Sequence, residues 1–301
     1  MGEFINQKIN IEGIEKYDIH RFSHNAMATV FDIFIFHDNY SYALQAANES
    51  FSKLDLLEHD LSRFIENSDI SRINQLKPGE STIVGKECME CLVICQKLQK
   101  ETKGAFSPSS GAVIEYWKNK PKLKIDINKN IGNLILDASS FTVSLIDNTV
   151  SIDLGGVGKG YALDKLRGIF LDWNITNILL NGGMSTFLAI DYPEGETGWP
   201  LIITNPTDKS ELERVFLKDF SVSGSGIEKG NHIISPANNK PIQNRFCSWS
   251  MAKTAAESDA LSTSFMVMSK YDIRDYIDRH QNVGAIICDK NGKINRFGIL
   301  E

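Results

Sequence analysis

The sequence lacks the features that are typical of nucleic-acid-binding and membrane-spanning proteins. Acidic residues outnumber basic ones, with 38 Asp and Glu against 32 Lys and Arg, so the net charge is −6. Nonspecific binding to nucleic acid requires clustered Lys and Arg, and no basic stripe is present. No apolar run reaches the roughly 18 residues that a membrane-spanning helix needs. We therefore expect a globular chain that does not bind nucleic acid.

The sequence also lacks a cysteine pattern typical of a disulfide framework or a zinc site. Of its five cysteines, Cys88, Cys91 and Cys95 lie three and four positions apart in a helical pattern and share one face. No second cluster and no neighbouring histidine completes a tetrahedral thiolate site. We interpret these cysteines as small apolar residues of the core.

No internal repeat, low-complexity tract or linker-like stretch divides the 301 residues. That length is sufficient for one large domain with a substantial core. The first residues contain neither the apolar segment of a secretory leader nor a lipid-attachment cysteine. We predict an N-terminal extension over residues 1–18 and a single domain over residues 19–301.

The spacing of apolar residues predicts both helices and strands. Alternation over Thr29–Phe36 predicts a strand, preceded by a loop at Ser23–Thr29, and the last hairpin is predicted near the C-terminus. Helical spacing over Ser41–Leu61 and Gly85–Gly104 predicts two long helices. We therefore predict an α+β fold in which long helices pack against an antiparallel sheet. Further predicted segments are a hairpin at Asn177–Ile190, a glycine loop at Gly224–Gly230 and a helix at Ala252–Ser269.

The stretch Ser151–Lys165, SIDLGGVGKGYALDK, is the most distinctive part of the chain. A short apolar segment leads into a glycine turn and then into a helical pattern. Glycine tolerates positive φ and lets backbone groups approach a ligand closely. Asp153 and Lys159 add charge to this turn. A ligand-binding turn and a tight connection without a ligand both fit the pattern. The four glycines are Gly155, Gly156, Gly158 and Gly160.

Three further groups could contribute chemistry. Asp259 and Thr263 are four residues apart in a predicted helix, so their oxygen atoms share a face and suit Mg²⁺. Interaction with the helix dipole and a bond to the helix backbone explain the same pair without a metal. His232 begins a short predicted strand between glycine loops, which suits either a proton-transferring base or a structural histidine. Phe64 and Phe106 lie in predicted loops, where they either stack on a planar ligand or fill the core.

Eight motifs follow one another along the chain: Met27-Ala-Thr29, Ser62-Arg-Phe64, Gly104-Ala-Phe-Ser-Pro-Ser109, Asp153–Asp164, Asn181-Gly-Gly183, Ser223-Gly224, His232-Ile-Ile-Ser-Pro236 and Ala256–Thr263. Taken together and in this order, these motifs resemble the ApbE-type FAD:protein FMN transferases. The resemblance spans roughly residues 20–299 and implies a single domain of ApbE-like, T-fold-like architecture.

The resemblance implies an enzyme that uses Mg²⁺ to transfer FMN from FAD to a Ser or Thr hydroxyl of an acceptor protein. The product is a phosphoester, and AMP is released. Two alternatives stay open: an FAD pyrophosphate hydrolase giving FMN and AMP, and a non-catalytic FAD-binding protein. The implied acceptor is a respiratory or extracytosolic electron-transfer subunit, and the enzyme is expected to be a monomer or homodimer. We expect a periplasmic or membrane-anchored full-length protein, or a cytoplasmic one if the chain is complete.

The resemblance also implies a role for individual residues. His232 corresponds to the catalytic base. The implied metal ligands are the carbonyl of Gly156 and the side chains of Asp259 and Thr263. The implied FAD contacts are Met27, Phe64, Ala105, Phe106, Ser107, Asp153, Lys159 and Ile233.

The chain departs from the family pattern at three places. Ser235 stands where the family usually has an aspartate before the proline of the histidine motif. Ser107 and Ser109 stand where the family usually has Asp and Thr, and Phe64 replaces a Tyr or Trp. The loss of two carboxylates weakens the orientation of neighbouring groups, so we expect an active enzyme with a lowered rate.

Overall fold

The computed structural model describes residues 19–118, 133–192, 197–204, 210–227, 230 and 233–301. The predicted extension over residues 1–18 lies outside these residues. The helices are α1 Tyr40–Leu61, α2 Asp69–Asn74, α3 Lys86–Glu101, α4 Gly111–Lys118, α5 Gly158–Asp172, α6 Ala255–Val267 and α7 Lys270–Arg279. The strands are β1 Ile19–Ala26, β2 Thr29–Phe36, β3 Ser81–Ile83, β4 Leu134–Asp137, β5 Thr142–Leu145, β6 Ile178–Gly182, β7 Thr186–Ala189, β8 Trp199–Thr204, β9 Glu211–Leu217, β10 Phe220–Gly226, β11 Ile234–Ser235, β12 Lys240–Pro241, β13 Arg245–Ala252, β14 Gly284–Asp289 and β15 Ile294–Gly298.

An eight-stranded sheet forms the centre of the fold. Its strand order is β1-β2-β6-β7-β10-β13-β14-β15, and every neighbouring pair is antiparallel. Three smaller antiparallel sheets, β3-β5-β4, β8-β9 and β11-β12, lie apart from it among the described residues. The predicted α+β class, with long helices against antiparallel sheet, is confirmed.

The predicted loop at Ser23–Thr29 is wrong, because β1 continues to Ala26 and leaves only a two-residue turn. Ala26 pairs with Thr29 across that turn. Polar residues of this segment belong to the strand, and other elements supply their partners: His24 Nε2, for example, lies 2.6 Å from Oδ1 of Asp55. Ser23 Oγ donates to Oδ1 of Asp32 at 2.6 Å, and Arg21 donates to the same oxygen at 3.0 Å.

The predicted glycine loop at Gly224–Gly230 is also wrong at its start, since Gly224 and Gly226 belong to β10. Gly224 pairs with Trp249 on β13, a strand that the sequence pattern did not reveal. A Cβ atom on Gly224 would lie 2.6 Å from the indole ring of Trp249. The glycine is therefore needed for ring packing against a strand, and it makes no turn.

Helix α6 packs against the sheet through serine hydroxyls. Ser258 Oγ lies 2.8 Å from Ser221 Oγ and 2.7 Å from Ser223 Oγ, both on β10. One turn later, Ser262 Oγ lies 2.8 Å from Ser225 Oγ. The helix is buried on nearly all sides. These paired hydroxyls satisfy polar groups that would be costly to bury alone.

A large apolar core lies between the sheet and helices α1, α3 and α5. Cys88, Cys91 and Cys95 are buried in this core and carry free thiols, which confirms their interpretation as core residues. Burial raises the pKa of the Cys88 thiol well above its usual value, so the thiol is neutral. No helix among the described residues combines the length and the apolar composition that a membrane crossing requires.

Candidate active site

The glycine stretch places helix α5 against helix α6. Gly158 and Gly160 lie inside α5, and none of the four glycines has positive φ, so this stretch does not use the tolerance of glycine for the left-handed region. Gly156 and Gly160 instead let the backbone of this stretch approach α6 closely. A Cβ on Gly160 would lie 2.0 Å from the carbonyl oxygen of Ala255, and one on Gly156 would lie 3.4 Å from Oγ1 of Thr263. The absence of side chains brings α5 and its preceding turn into contact with α6.

Asp259 is buried where these helices meet, with only 3% of its surface exposed. The Nζ atom of Lys159 lies 3.4 Å from its Oδ2, and the backbone N–H of Gly160 donates to the same oxygen at 3.1 Å. Thr186 Oγ1 lies 3.3 Å from Oδ1. A buried carboxylate requires such partners to remain charged. The arrangement holds one negative charge at a fixed position beside a lysine.

Thr263 lies one turn after Asp259 on α6 and lines the same cavity. Its Oγ1 lies 3.2 Å from Ser225 Oγ. Ser262 Oγ donates to the Asp259 carbonyl of its own helix at 2.8 Å. The three residues implied as metal ligands, Gly156, Asp259 and Thr263, all line one cavity of about 560 Å³, which we name the main cavity.

A second cavity of about 390 Å³, the side cavity, adjoins the main cavity. Asp153, Gly155 and Lys159 line both cavities and form their shared wall. Every implied FAD contact lines one or both. The main cavity contains Ala105, Phe106, Ser107, Asp153, Lys159 and Ile233, and the side cavity contains Met27 and Phe64 together with Asp153 and Lys159.

His232, the implied catalytic base, lies outside the described residues, and its role stays a prediction. Its neighbour Ile233 is buried and lines the main cavity. Within the described ranges, no group of three His, Cys, Asp or Glu side chains has the geometry to hold a metal ion. A metal ion at this site would therefore be held by a single carboxylate, by neutral oxygen atoms of the protein and by oxygen atoms of the substrate.

Arg63 is a site residue that sequence reasoning missed. Its Nε lies 3.1 Å from Oδ2 of Asp153, although its N–H is not aligned for a hydrogen bond. Its guanidinium carbon lies 4.8 Å from the ring centroid of Phe64, which is a cation–π distance. Arg63 thereby connects the carboxylate of the shared wall with the ring of the side cavity. Its position next to Phe64 in the sequence was visible, but its pairing with Asp153 was not.

The two phenylalanines have different environments. Phe64 is 80% exposed, which leaves its ring available to a planar ligand. Phe106 is 4% exposed and belongs to the large core, with only part of its surface in the main cavity. Next to it, Ser107 Oγ is buried and has no hydrogen-bond partner among the described residues. A ligand group in the main cavity could supply that partner after a small rearrangement.

Two tight turns contribute lining residues to the two cavities. Met27 and Ala28, between β1 and β2, both have positive φ, at 51° and 56°. Met184, between β6 and β7, has φ of 56° and is 72% exposed on the main cavity. Asn181 Oδ1 accepts from the backbone N–H of Met184 at 2.9 Å and stabilises this turn. Positive φ in non-glycine residues is strained and is often found at functional sites.

Comparison with known protein families identifies the class to which the chain belongs. The model of the ApbE family matches residues 27–287, which is most of the chain. The chain therefore belongs to the ApbE family, and the resemblance seen in its motifs is confirmed.

Individual relatives are similar at low identity over most of their length. A Buchnera aphidicola protein named FAD:protein FMN transferase is 26% identical over 272 residues, covering 81% of this chain and 79% of the relative. An Escherichia coli K12 protein of the same name is 22% identical over 267 residues, covering 80% and 76%. The similarity therefore extends across the domain and is not confined to one motif.

Solved structures share the fold. The ApbE protein of Thermotoga maritima superposes with a TM-score of 0.82 at 24% identity, covering 93% of this chain and 97% of that one. The flavin transferase ApbE of Vibrio cholerae has a TM-score of 0.79 at 20% identity, covering 93% and 96%. The predicted single-domain ApbE-like architecture is confirmed.

Proposed function

We propose that this chain transfers the FMN half of FAD to a serine or threonine hydroxyl of an acceptor protein and releases AMP. The coarser assignment, an enzyme that transfers flavin from FAD to a protein, follows from its family and its curated relatives. One observation supports the finer proposal most strongly. Lys159 lines both cavities and contacts the buried carboxylate of Asp259, so a cation would be available to a pyrophosphate that spans the two cavities.

The shape of the site suits a dinucleotide. FAD consists of two planar ring systems joined by a pyrophosphate, and the chain has two adjoining cavities that share one wall. We place the pyrophosphate at this wall, where the ammonium of Lys159 counters its negative charge. The exposed ring of Phe64 provides a stacking surface in the side cavity. Asp153 faces the bound cofactor from the same wall.

The oxygen donors of the main cavity fit Mg²⁺. Asp259, Thr263 and the carbonyl of Gly156 are hard ligands, and Mg²⁺ is commonly held by one or two carboxylates together with substrate phosphates. The missing side chain of Gly156 keeps open the space beside Thr263 Oγ1 that a Cβ would fill. When bound there, the ion would neutralise charge that develops on the pyrophosphate. Ser225 orients the Thr263 hydroxyl, and Lys159 balances the phosphates.

The proposed reaction exchanges one phosphorus–oxygen bond for another. The acceptor hydroxyl oxygen bonds to the FMN phosphorus, the bond from that phosphorus to the bridging oxygen breaks, and AMP departs with the bridging oxygen. His232 takes the proton of the hydroxyl. Ser107 and Ser235 offer hydroxyls where relatives of the resembled type have carboxylates, so we expect slower transfer. We further propose an electron-transfer acceptor outside the cytoplasm and a periplasmic or membrane-anchored enzyme.

One experiment tests the function. The protein is incubated with FAD and Mg²⁺, with and without an acceptor domain that carries a Ser or Thr flavinylation motif. Covalent FMN on the acceptor together with AMP is the expected result. AMP and free FMN without labelling would identify a hydrolase instead, and bound FAD without product would identify a binding protein.

The metal assignment has its own variant. Asp259→Ala should abolish Mg²⁺-dependent FMN transfer, because it removes the only charged ligand of the proposed set. Transfer is measured by acceptor fluorescence after denaturation. The exposed Asp278 lies outside both cavities, and Asp278→Ala serves as the control that should keep full activity. Undiminished transfer by Asp259→Ala would exclude this residue as a metal ligand.

A further inference from the structure

A carboxylate from helix α5 holds the beginning of helix α6. Oδ1 of Asp164 accepts from the backbone N–H of Ala255 at 2.8 Å, and Oδ2 accepts from the backbone N–H of Ala256 at 2.8 Å. The first N–H groups of a helix have no acceptor within the helix itself. Asp164 therefore satisfies two of these groups from a different helix, and it does so with both of its oxygen atoms.

The remaining N–H groups of this first turn are satisfied locally. Thr254 Oγ1 accepts from the N–H of Glu257 at 3.3 Å, and the Thr254 carbonyl accepts from the N–H of Ser258 at 3.1 Å. Helix α6 thus has an ordinary side-chain cap of its own. The contribution of Asp164 is different in kind, because it connects α6 to α5 and fixes where the first turn lies.

This connection lies about one helical turn from the proposed metal ligand Asp259. Asp164 is one turn after Gly160 on α5, and Asp259 is one turn after Ala255 on α6. Gly160 also contacts Ala255 at a distance that excludes any side chain, and its N–H donates to Asp259. The position of α6 relative to α5 is therefore determined at two neighbouring points, and both lie within one turn of Asp259.

We propose that Asp164 is a positioning residue for the metal site: by fixing the first turn of α6 it sets the distance of Asp259 and Thr263 from Lys159 and Gly156. This inference rests on the proposed function. It concerns a residue that touches neither the cofactor cavity nor the oxygen donors, since Asp164 lines neither cavity. Positioning residues of this kind commonly change metal affinity or activity by roughly 10- to 100-fold when replaced.

The variant Asp164→Asn tests this role. It preserves the side-chain volume but turns one acceptor oxygen into an amide that cannot accept, so one N–H of α6 loses its partner. Binding of Mg²⁺ is measured by calorimetry with FAD present, and unfolding is measured in urea. We expect roughly 10-fold weaker Mg²⁺ binding, while the affinity for FAD without metal changes less than about twofold. If this variant does not fold, Asp164→Glu replaces it, because the longer side chain must displace α6 and should weaken Mg²⁺ binding similarly.

Asp69 offers a matched control. Its Oδ2 accepts from the N–H of Gly85, the N-cap residue of α3, at 2.7 Å, so it also connects a helix start to a carboxylate from another helix. Asp69→Asn should lower the free energy of unfolding without changing Mg²⁺ binding. Unchanged Mg²⁺ binding in the Asp164 variant, or an equal change in the Asp69 variant, would overturn the positioning role. A wild-type protein that binds FAD but no Mg²⁺ would instead refute the proposed function, and this inference with it.

Discussion

Replacing Gly160 by alanine should force helices α5 and α6 apart. The new Cβ would lie 2.0 Å from the Ala255 carbonyl oxygen and 2.8 Å from the Ala256 nitrogen, whereas ordinary contact begins at 3.4 Å. The contacting atoms are backbone atoms that cannot rotate away, so the helices must separate by ~1.4 Å, the difference between contact and clash. Overpacking of this kind costs about 1–3 kcal/mol of unfolding free energy. A displacement of about 1 Å at a catalytic group lowers the rate by roughly 100-fold.

Gly168 on the same helix provides the comparison. A Cβ at Gly168 meets no atom within 4 Å, so Gly168→Ala should stabilise the protein by about 0.5–1 kcal/mol through helix propensity alone. Both variants are examined by urea unfolding and by FMN transfer to an acceptor. The reasoning would be refuted if Gly160→Ala matched Gly168→Ala in stability and in rate, because the contact between α5 and α6 would then be unimportant.

Two further predictions concern Asp164 and Phe64. Burial raises the pKa of Asp164 from 3.8 to about 6, so the folded protein binds this proton more tightly than the unfolded chain does. Relative to Asp164→Asn, the wild type should therefore lose up to about 3 kcal/mol of unfolding free energy as the pH rises from about 4 to above 6. Unfolding in urea is measured for both proteins at pH 4 and pH 7. An equal change in unfolding free energy between the two pH values in both proteins would contradict this prediction. Phe64→Ala should weaken FAD binding by roughly 5- to 10-fold at little cost in stability, because the ring is exposed and lost stacking accounts for about 1 kcal/mol. Phe64→Tyr should retain affinity in a flavin-fluorescence titration, and equal losses in both variants would exclude stacking.

Local patterns predicted the elements whose own residues carry the signal. Helix α1 has its buried alanines and leucines at helical spacing, and Asp259 and Thr263, predicted to share a helix face, both line the main cavity. Strand β13 escaped prediction because its serines, which would suggest a solvated segment, donate to backbone carbonyl oxygens of α6. Ser250 Oγ, for example, donates to the Ser258 carbonyl. A polar residue can occupy a buried strand when a distant element supplies its partner.

The sequence by itself determined the family, the order of the motifs and the residue types that the site needs, because these are properties of neighbouring positions. Only the tertiary structure decided how the glycines are used. Their spacing suggested a turn whose backbone groups approach a ligand or a tight connection without one, yet Gly160 is required by contact with Ala255 on a helix far along the chain. Asp164 and Ala255 are 91 positions apart, and no periodicity within either segment records that they bond. Contacts between distant elements depend on how complete helices and sheets pack, and the site is formed by those contacts.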